Sequence, residues 1–319
     1  MSYGWGHVIR SLSLAQRLEK EGVEVLLGIE GDEGVNRFLA TVTQPHFKAS
    51  FADVDAQPEV RAFSPELVVL DMLEAPDELL ARLKRPGSRL VAFNDLALPY
   101  AHADVTVSPQ ILPAYAPARA GQAQLNGPDY FAVAESMLKH RDARAAGATV
   151  AKSVLVVLGG VLHRDHFATL VRAARGVRDL GLKFRVVLGF DHDVDLAKYP
   201  DLATIGVETL PGTNDLGALL KDAEFAIGAS GYVKYEFAAL GVPALLVSIV
   251  DHQEPLGKIF AERSKAADFV GDIRGMDPAT LAKAIRRLSA DFTRRAEMSQ
   301  AGRLCVDGRA LERIVKAIL

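Results

Sequence analysis

The sequence predicts an α/β protein built from two parallel-sheet halves, on the strength of three observations. Apolar runs of strand length alternate with amphipathic helical patterns along the chain. These runs are apolar throughout, which is typical of parallel strands that helices cover on both faces. A charged, alanine-rich stretch without a strand signal, residues 139–152, separates the two series. The pattern therefore favours right-handed βαβ units in two successive domains.

The strand predictions fall in two groups, one in each half of the chain. They are residues 23–29, 66–71, 89–95 and 104–109, followed by 153–160, 184–190, 224–230 and 243–249. Between them lie the helical patterns at 76–84, 166–181 and 278–292. We place the domain boundary near residue 145, which gives an N-terminal domain of residues 1–145 and a C-terminal domain of 146–319.

Polar residues and glycines follow several predicted strands. Open α/β sheets bind ligands at the carboxyl ends of their strands, so we expect these residues to contribute to a small-molecule site in a cleft between the domains. They are Asp71, Asn94, Asp95, Gly159, Gly160, Ser230 and Gly231.

Composition narrows the classes of function. The chain has 319 residues, of which 49% are hydrophobic, and its formal net charge of -3 supplies no basic field for nucleic acid. The single cysteine, Cys305, excludes an internal disulfide, and the start lacks the pattern of a secretory signal. All apolar runs are shorter than the roughly 20 residues of a membrane-spanning helix. We expect a cytoplasmic protein, a monomer or weak oligomer, that needs no cofactor.

The opening stretch GWGHVIRSLSLAQRL places a histidine between glycines and an amphipathic helix. Gly4 and Gly6 suit a tight turn, and apolar residues at helical spacing predict that the helix starts at or just after His7. The amides of a first helical turn favour an anion, and the same field disfavours an imidazolium, so His7 is a candidate general base. The alternative is that the glycines form only a turn and that His7 makes only a local hydrogen bond.

Residues 224–253 repeat this arrangement in the second half of the chain. They predict a strand, a glycine turn that ends at Gly231, a helix, and a further strand that ends in a polar loop. Glu236 lies in the first turns of the helix, where a carboxylate can accept hydrogen bonds from both hydroxyls of a ribose while the turn amides hold a diphosphate. A surface glutamate that complements the helix dipole is the alternative.

These segments resemble the UDP-2,4-diacetamido-2,4,6-trideoxy-altropyranose hydrolases of pseudaminic acid biosynthesis. The opening stretch is similar to their G-x-GH-x-x-R-x-L-x-LA-x-x-L motif, and ASGYVKYEFAALGVP resembles a segment that they share with MurG-like glycosyltransferases. Further similarities follow in the same order along nearly the whole chain. They are VLD at 69–71, NDLA at 94–97, LNGPDYF at 125–131, VLGG at 157–160, DHQ at 251–253 and VDGRALERIV at 306–315.

The resemblance implies a GT-B fold, which consists of two Rossmann-like domains with parallel sheets that face a central cleft. It implies that the C-terminal domain holds UDP and that water displaces UDP from the anomeric carbon of an amino sugar without a metal ion. His7 would be the base that acts on this water, and Glu236 would contact the ribose. Other residues of the matched motifs would bind the substrate: Gly4, Gly6, Arg10, Asp71, Ser230, Gly231, Tyr232, His252 and Gln253.

The chain also departs from the family pattern. Leu73 stands where the hydrolases commonly have a tyrosine, Tyr232–Val233 replaces Ser-Thr, and His252 replaces an asparagine. The family also has a strand ahead of the glycine turn, where this sequence has only Met1, Ser2 and Tyr3. Three functions stay open on this basis: a UDP-sugar hydrolase, a GT-B glycosyltransferase, and a catalytically weak binder of nucleotide-sugars. His163 and His166 share a helix face, but no third metal ligand is evident beside them.

Overall fold

A computed structural model describes residues 5–31, 33, 35, 39, 40, 42–145, 152–189, 191–213 and 215–319. The chain divides into two compact units. Unit 1 comprises residues up to Ala134 together with Gly308–Leu319, and unit 2 comprises Glu135–Asp307.

Unit 1 is an α/β unit whose described strands form two parallel sheets. The first sheet pairs β1 with β2, and the second has the order β3-β4-β5-β6. The strands are β1 (Leu27–Ile29), β2 (His46–Lys48), β3 (Leu67–Leu70), β4 (Arg89–Phe93), β5 (Val105–Ser108) and β6 (Ala123–Asn126). The helices are α1 (Trp5–Lys20), α2 (Pro58–Phe63), α3 (Asp77–Leu83) and, at the end of the chain, α11 (Ala310–Ile318).

Helix α1 packs against both sheets of unit 1, because its apolar residues point in two directions. Val8 and Ala15 pack with Leu27 and Ile29 of β1. On its other side, Leu14 and Leu18 join a core that contains strands β4 and β5 together with helix α11. Strands β4 and β5 are buried almost throughout, as their uniformly apolar runs predict.

Unit 2 contains a larger parallel sheet with the order β11-β9-β7-β12-β13-β14, and a short second sheet of β8 and β10. The strands are β7 (Ser153–Val157), β8 (Val161–Leu162), β9 (Lys183–Val187), β10 (Asp191–His192), β11 (Val207–Leu210), β12 (Phe225–Ala229), β13 (Ala244–Ser248) and β14 (Ala267–Asp272). The helices are α4 (Glu135–Ala145), α5 (Arg164–Arg175), α6 (Leu216–Leu220), α7 (Val233–Leu240), α8 (Gln253–Ser264), α9 (Pro278–Ala290) and α10 (Phe292–Cys305).

The central strands of the large sheet are buried along their whole length, and so are most side chains of α7 that pack on them. At the carboxyl edge of this sheet, β7 is followed by Gly159 and Gly160, and β12 by Ser230 and Gly231. The fold therefore places the loops of neighbouring strands at one edge, where α/β sheets bind ligands.

The division into units differs from the predicted boundary at residue 145 in two respects. Helix α4, which precedes residue 146, belongs to unit 2, and Arg141 in it donates hydrogen bonds to the carbonyls of Arg303 and Val306. Helix α11 belongs to unit 1, because its apolar face completes the core on β4 and β5. Packing of a distant segment on a sheet cannot be inferred from local sequence patterns.

Helix α1 begins at Trp5, two residues before the predicted start. Gly6 therefore lies in the first helical turn, and its predicted role as a turn residue is wrong, because glycine also adopts helical backbone angles. Gly4, and the strand expected ahead of it, lie outside the described residues. Among the described helices, none combines the length and the apolar character that a membrane crossing requires.

Candidate functional site

The first candidate site is built around His7 at the N-terminus of α1. Its Nδ1 lies 2.7 Å from Oδ1 of Asp71, the residue that follows β3. A carboxylate can only accept, so in this contact Nδ1 carries the proton and Nε2 is left with the lone pair. The side chain of His7 is 15% exposed, whereas that of Asp71 is 2% exposed. The buried acid therefore orients an imidazole that still reaches solvent.

Arg10 lies one turn after His7 and connects two strand ends. Its guanidinium donates from Nε to Oδ2 of Asp71 at 2.7 Å, and from Nη1 and Nη2 to the two carboxylate oxygens of Asp95 at 3.1 and 2.9 Å. The guanidinium also packs over the ring of Phe93, 4.2 Å from its centroid. Such bidentate, buried contacts fix the positions of both acids. Arg10 thus acts within the protein, where the sequence predicted a contact with substrate.

The charge of Arg10 determines the state of Asp71. Burial alone would raise the pKa of this carboxyl, but the positive charge and hydrogen bonds of Arg10, together with His7, lower the pKa to about 2. Asp71 is therefore ionised at neutral pH. An ionised Asp71 stabilises the imidazolium that forms when Nε2 of His7 accepts a proton.

His7, Asp71 and Asp95 also have the spacing of a metal site, since one ligand atom from each lies within 4.8 Å of the others. Nη2 of Arg10 occupies the position between them. It contacts Oδ1 of Asp71, lies 2.9 Å from Oδ2 of Asp95, and lies 3.3 Å from Nδ1 of His7. A guanidinium thus supplies the positive charge that a metal ion would otherwise bring to these acids.

Asn94 belongs to this edge of the sheet but serves a different purpose. Its amide nitrogen donates to the carbonyl of Leu98 at 2.7 Å, and its amide oxygen accepts from the N–H of Leu98 at 2.8 Å. Both ends of the side chain are therefore used to close the loop after β4. The expectation that Asn94 binds substrate is a poor fit to this geometry, because the same atoms hold the backbone.

The second candidate site is the turn between β12 and α7 in unit 2, formed by Ser230, Gly231 and Tyr232. Ser230 is completely buried, its N–H continues the ladder to Val247, and its hydroxyl donates to the carbonyl of Val247 at 3.0 Å. The Ser230 hydroxyl therefore points into the sheet. What the turn can offer a ligand is its backbone, at the N-terminus of the eight-residue helix α7.

Glu236 lies in the first turn of α7 and is half-buried. Burial raises the pKa of this carboxyl to about 7. Within the described part of the chain, no hydrogen bond or ion pair engages it. A desolvated carboxyl without a protein partner is typical of a ligand contact, because the donors that would satisfy it are left for the ligand to supply.

Gln253, the first residue of α8, lies beside the turn although it is distant in sequence. Its amide oxygen accepts from the N–H of Ile249 at 3.2 Å, and a Cβ on Gly231 would lie 3.3 Å from its Nε2. His252 is exposed at the cap of the same helix. The structure therefore brings Gln253 to the turn and leaves the imidazole of His252 at the surface.

Gly159 and Gly160 lie beside the same edge. Gly159 has a φ of +103°, and a Cβ on it would lie 3.7 Å from Cδ1 of Ile249.

Ile249 also lines a cavity of about 460 Å³ at the N-terminus of α5, together with His163, His166 and Arg274. His166 is buried, and among the described residues its Nδ1 has no hydrogen-bond partner. Burial is the main reason that the pKa of His166 is lowered, so the imidazole is neutral at pH 7.

Sequence reasoning missed three contributors to these sites. Ser11 donates to Oδ2 of Asp71 at 3.3 Å, and its spacing of four residues from His7 on one helix was the available signal. Lys234 is 1% exposed and folds back onto the turn, which nothing in a lone lysine indicates. Gly257 lets α8 approach Ser230, since a Cβ there would lie 2.3 Å from Oγ of Ser230.

Comparison with known proteins gives the fold. The structure resembles MurG of Acinetobacter baumannii with a TM-score of 0.69, at 16% identity over 100% of this chain and 97% of that one. The chain has the GT-B fold. The glycosyltransferase SnogD of Streptomyces nogalater matches with a TM-score of 0.66, at 17% identity over 98% and 97% of the two chains. A UDP co-structure of MnaA from S. aureus matches with a TM-score of 0.65, at 13% identity over 98% and 93%.

In sequence, the chain is 25% identical to the spore coat polysaccharide biosynthesis protein SpsG of Bacillus subtilis (strain 168). The alignment covers 98% of this chain and 93% of SpsG. No family model matches the sequence. These comparisons confirm the predicted α/β class and its two Rossmann-like domains, while the site residues stay predictions.

Proposed function

We propose that this chain is an enzyme that acts on a UDP-activated amino sugar, with the UDP bound by unit 2 and the chemistry assisted by His7 in unit 1. The observation that carries the proposal is the hydrogen bond between His7 and Asp71. This contact assigns the proton to Nδ1 and makes Nε2 a base, which is the arrangement that general-base catalysis requires.

In the proposed reaction, Nε2 of His7 takes a proton from a water molecule as that water attacks the anomeric carbon. The bond between this carbon and the β-phosphate oxygen breaks, and UDP leaves with the electron pair. The imidazolium that results is stabilised by Asp71, whose charge Arg10 maintains. Base catalysis of this kind contributes about 10²–10⁴-fold to a rate.

Binding of UDP is assigned to the turn after β12. Backbone N–H groups at the N-terminus of α7 suit a diphosphate, which spreads negative charge over several oxygens. The unpartnered carboxyl of Glu236 suits the two hydroxyls of the ribose, and Gln253 lies beside Gly231 on the sugar side. We propose that the backbone N–H of Tyr232 also binds the diphosphate. We propose that Gly159 and Gly160 allow the backbone to approach the ligand closely.

The relatives suggest the biological setting. SpsG is named for spore coat polysaccharide biosynthesis, and a UDP-sugar enzyme of similar sequence fits the supply of an activated or freed sugar to such a polymer. Pseudaminic-type acid biosynthesis is the specific version of this proposal, because it is the pathway of the hydrolase family that the motifs resemble.

Glycosyl transfer is the second candidate function. It is compatible with the fold shared with SnogD, which is named a glycosyltransferase, and it is favoured by the leucine at position 73, where the hydrolases commonly have a tyrosine. The same His7 would then deprotonate an acceptor hydroxyl in place of water. Fold alone does not separate the two reactions.

The test is to incubate the purified chain with UDP-activated amino sugars and to follow UDP and free reducing sugar together. Equal release of both without an acceptor supports the hydrolase. Release of UDP only when an acceptor sugar or lipid is added supports the transferase. Binding of UDP by calorimetry without any release, with every substrate tried, would contradict both and leave a binding protein.

A further inference from the structure

We propose that Lys234 is a positioning residue for the diphosphate: it holds two carbonyls of the turn between β12 and α7 so that the N–H groups of the same peptides face the ligand. This inference rests on the proposed function, since it concerns how UDP is bound. Lys234 lies within the segment ASGYVKYEFAALGVP, but the resemblance to the hydrolases assigns no role to it.

The ammonium of Lys234 lies directly under the turn. Its Nζ donates to the carbonyl of Ser230 at 2.8 Å and to the carbonyl of Gly231 at 3.0 Å. The rings of Tyr235 and Phe260 enclose it, with their centroids 4.7 and 5.8 Å from Nζ. Because the side chain is almost completely buried, the ammonium has little freedom to leave these carbonyls.

Peptide geometry turns these two contacts into a direction for the amides. The Ser230 carbonyl shares a peptide plane with the N–H of Gly231, and the Gly231 carbonyl shares one with the N–H of Tyr232. The described peptides are all trans, and in a trans peptide the C=O and N–H bonds point in opposite directions. Both N–H groups therefore point away from Lys234. The N–H of Gly231 makes no hydrogen bond within the described residues.

The position of the positive charge of Lys234 also favours an anion on the outer side of the turn. A lysine in the first turn of a helix lies at the positive end of the helix dipole, where a cation is disfavoured. Burial of an ammonium is costly as well. An anion on the outer side of the turn would offset both effects, because it would be attracted by the outward amides and by the charge of Lys234 beneath them.

This arrangement accounts for a departure in the sequence. Where the related hydrolases have Ser-Thr, this chain has Tyr232 and Val233, which lack aliphatic hydroxyls for a phosphate. In their place, the positive charge of Lys234 beneath the turn would attract the phosphate.

The experiment compares UDP with uridine, since only UDP carries the diphosphate. Calorimetry would measure the Kd of both ligands for the wild type and for Lys234→Met, which keeps the apolar stem and removes the charge. We expect Lys234→Met to weaken UDP binding about tenfold or more, in the range of a charge-assisted hydrogen bond, and to leave uridine binding within about twofold. Lys258→Met is the matched control, because Lys258 is an exposed residue of α8 paired with Glu254, and it should change neither Kd.

Equal weakening of UDP and uridine, or no change in either, would overturn the role of Lys234. If Lys234→Met does not fold, Lys234→Gln serves as the second variant, since its amide can still donate to one carbonyl. NMR of the wild type gives an independent measurement. The N–H resonance of Gly231 should shift on addition of UDP and stay unchanged with uridine, and the reverse would overturn the proposal. A wild type that binds neither ligand would instead refute the proposed function itself.

Discussion

The two candidate sites are preorganised by different parts of the chain. In unit 1, charged side chains hold one another: Arg10 joins Asp71 to Asp95, and Asp71 orients His7. In unit 2, the groups that we propose to face the ligand are backbone amides, and the nearby carboxyl of Glu236 has no protein partner among the described residues. In the first site the charged side chains bind one another, which suits the transfer of a proton. In the second site Glu236 and the amide of Gly231 have no partner among the described residues, which suits the binding of a ligand.

This difference is also electrostatic. Arg10 lowers the pKa of Asp71 to about 2, while burial raises the pKa of Glu236 to about 7. Burial favours the neutral form of both carboxyls, and the opposite pKa shifts arise because only Asp71 has a neighbouring positive charge that outweighs burial. Substitutions in the two sites should therefore separate turnover from binding.

The largest effect is expected for His7→Asn. Turnover of a UDP-sugar should fall by at least about a hundredfold, while the Kd of UDP changes little, because we propose that His7 acts on the attacking water and that unit 2 binds the nucleotide. Steady-state kinetics and calorimetry measure the two quantities. His102→Asn is a matched control, since His102 lies 3.0 Å from Asp77 in the same unit but is exposed. Unchanged turnover of His7→Asn would remove the contrast between the sites.

The next effect is expected for Glu236→Gln, and its sign depends on pH. The folded pKa of about 7 lies above the ordinary value of 4.5, so folding favours the neutral carboxyl and stability is lost as pH rises from 4.5 to 7. Glu236→Gln should raise the free energy of unfolding at pH 8 by up to about 3 kcal/mol and leave it unchanged at pH 4. Urea unfolding at both pH values measures this.

The same variant tests the ribose contact. Glu236→Gln should weaken UDP binding more than it weakens binding of 2′-deoxy-UDP, because the deoxy ligand lacks one hydroxyl donor for the carboxylate. Glu262→Gln on α8, where the glutamate is exposed, is the control for stability and binding. A parallel loss for both ligands would argue against the ribose assignment.

A smaller effect, of opposite sign in pH, is expected for Asp71. Its folded pKa of about 2 lies below the ordinary value of 3.8, so the carboxylate contributes stability above pH 4 that is lost as pH falls toward 2. The contribution is on the order of 2 kcal/mol. Denaturant unfolding of the wild type and of Asp71→Asn should show a gap that narrows between pH 5 and pH 2.5. A constant gap would contradict the ion pair with Arg10.

The smallest effect is expected for His252→Ala. The imidazole is exposed at the start of α8, so the substitution should have little effect. The Kd of UDP should stay within about threefold of the wild-type value, and the free energy of unfolding within about 0.5 kcal/mol of it. Gln253→Ala should weaken binding more, since its amide contacts Ile249 and lies beside the turn. If His252→Ala were the more damaging of the two, the sugar side of the site would need to be reassigned.

The sequence by itself determined the class of fold and the central strands. The buried strands β7, β12 and β13 were predicted because they are apolar on both faces, and that pattern is local. The strands that were missed all lie at an end of their described sheets: β2, β6, β8, β10, β11 and β14. An edge strand is partly exposed, so its composition does not stand out from that of a loop.

Tertiary structure alone decided the partners of the candidate residues. The motifs pointed to His7 and Asp71, but only folding brings these residues, 64 positions apart, within 2.7 Å of each other. Only the tertiary structure shows that Arg10 binds two acids and that both ends of the Asn94 side chain bind Leu98. The position of Lys234 under the turn and that of α11 in the core of unit 1 were likewise decided by tertiary packing. Spacing along the chain encodes which face a residue is on, whereas the identity of its neighbour depends on packing between segments that are remote in sequence.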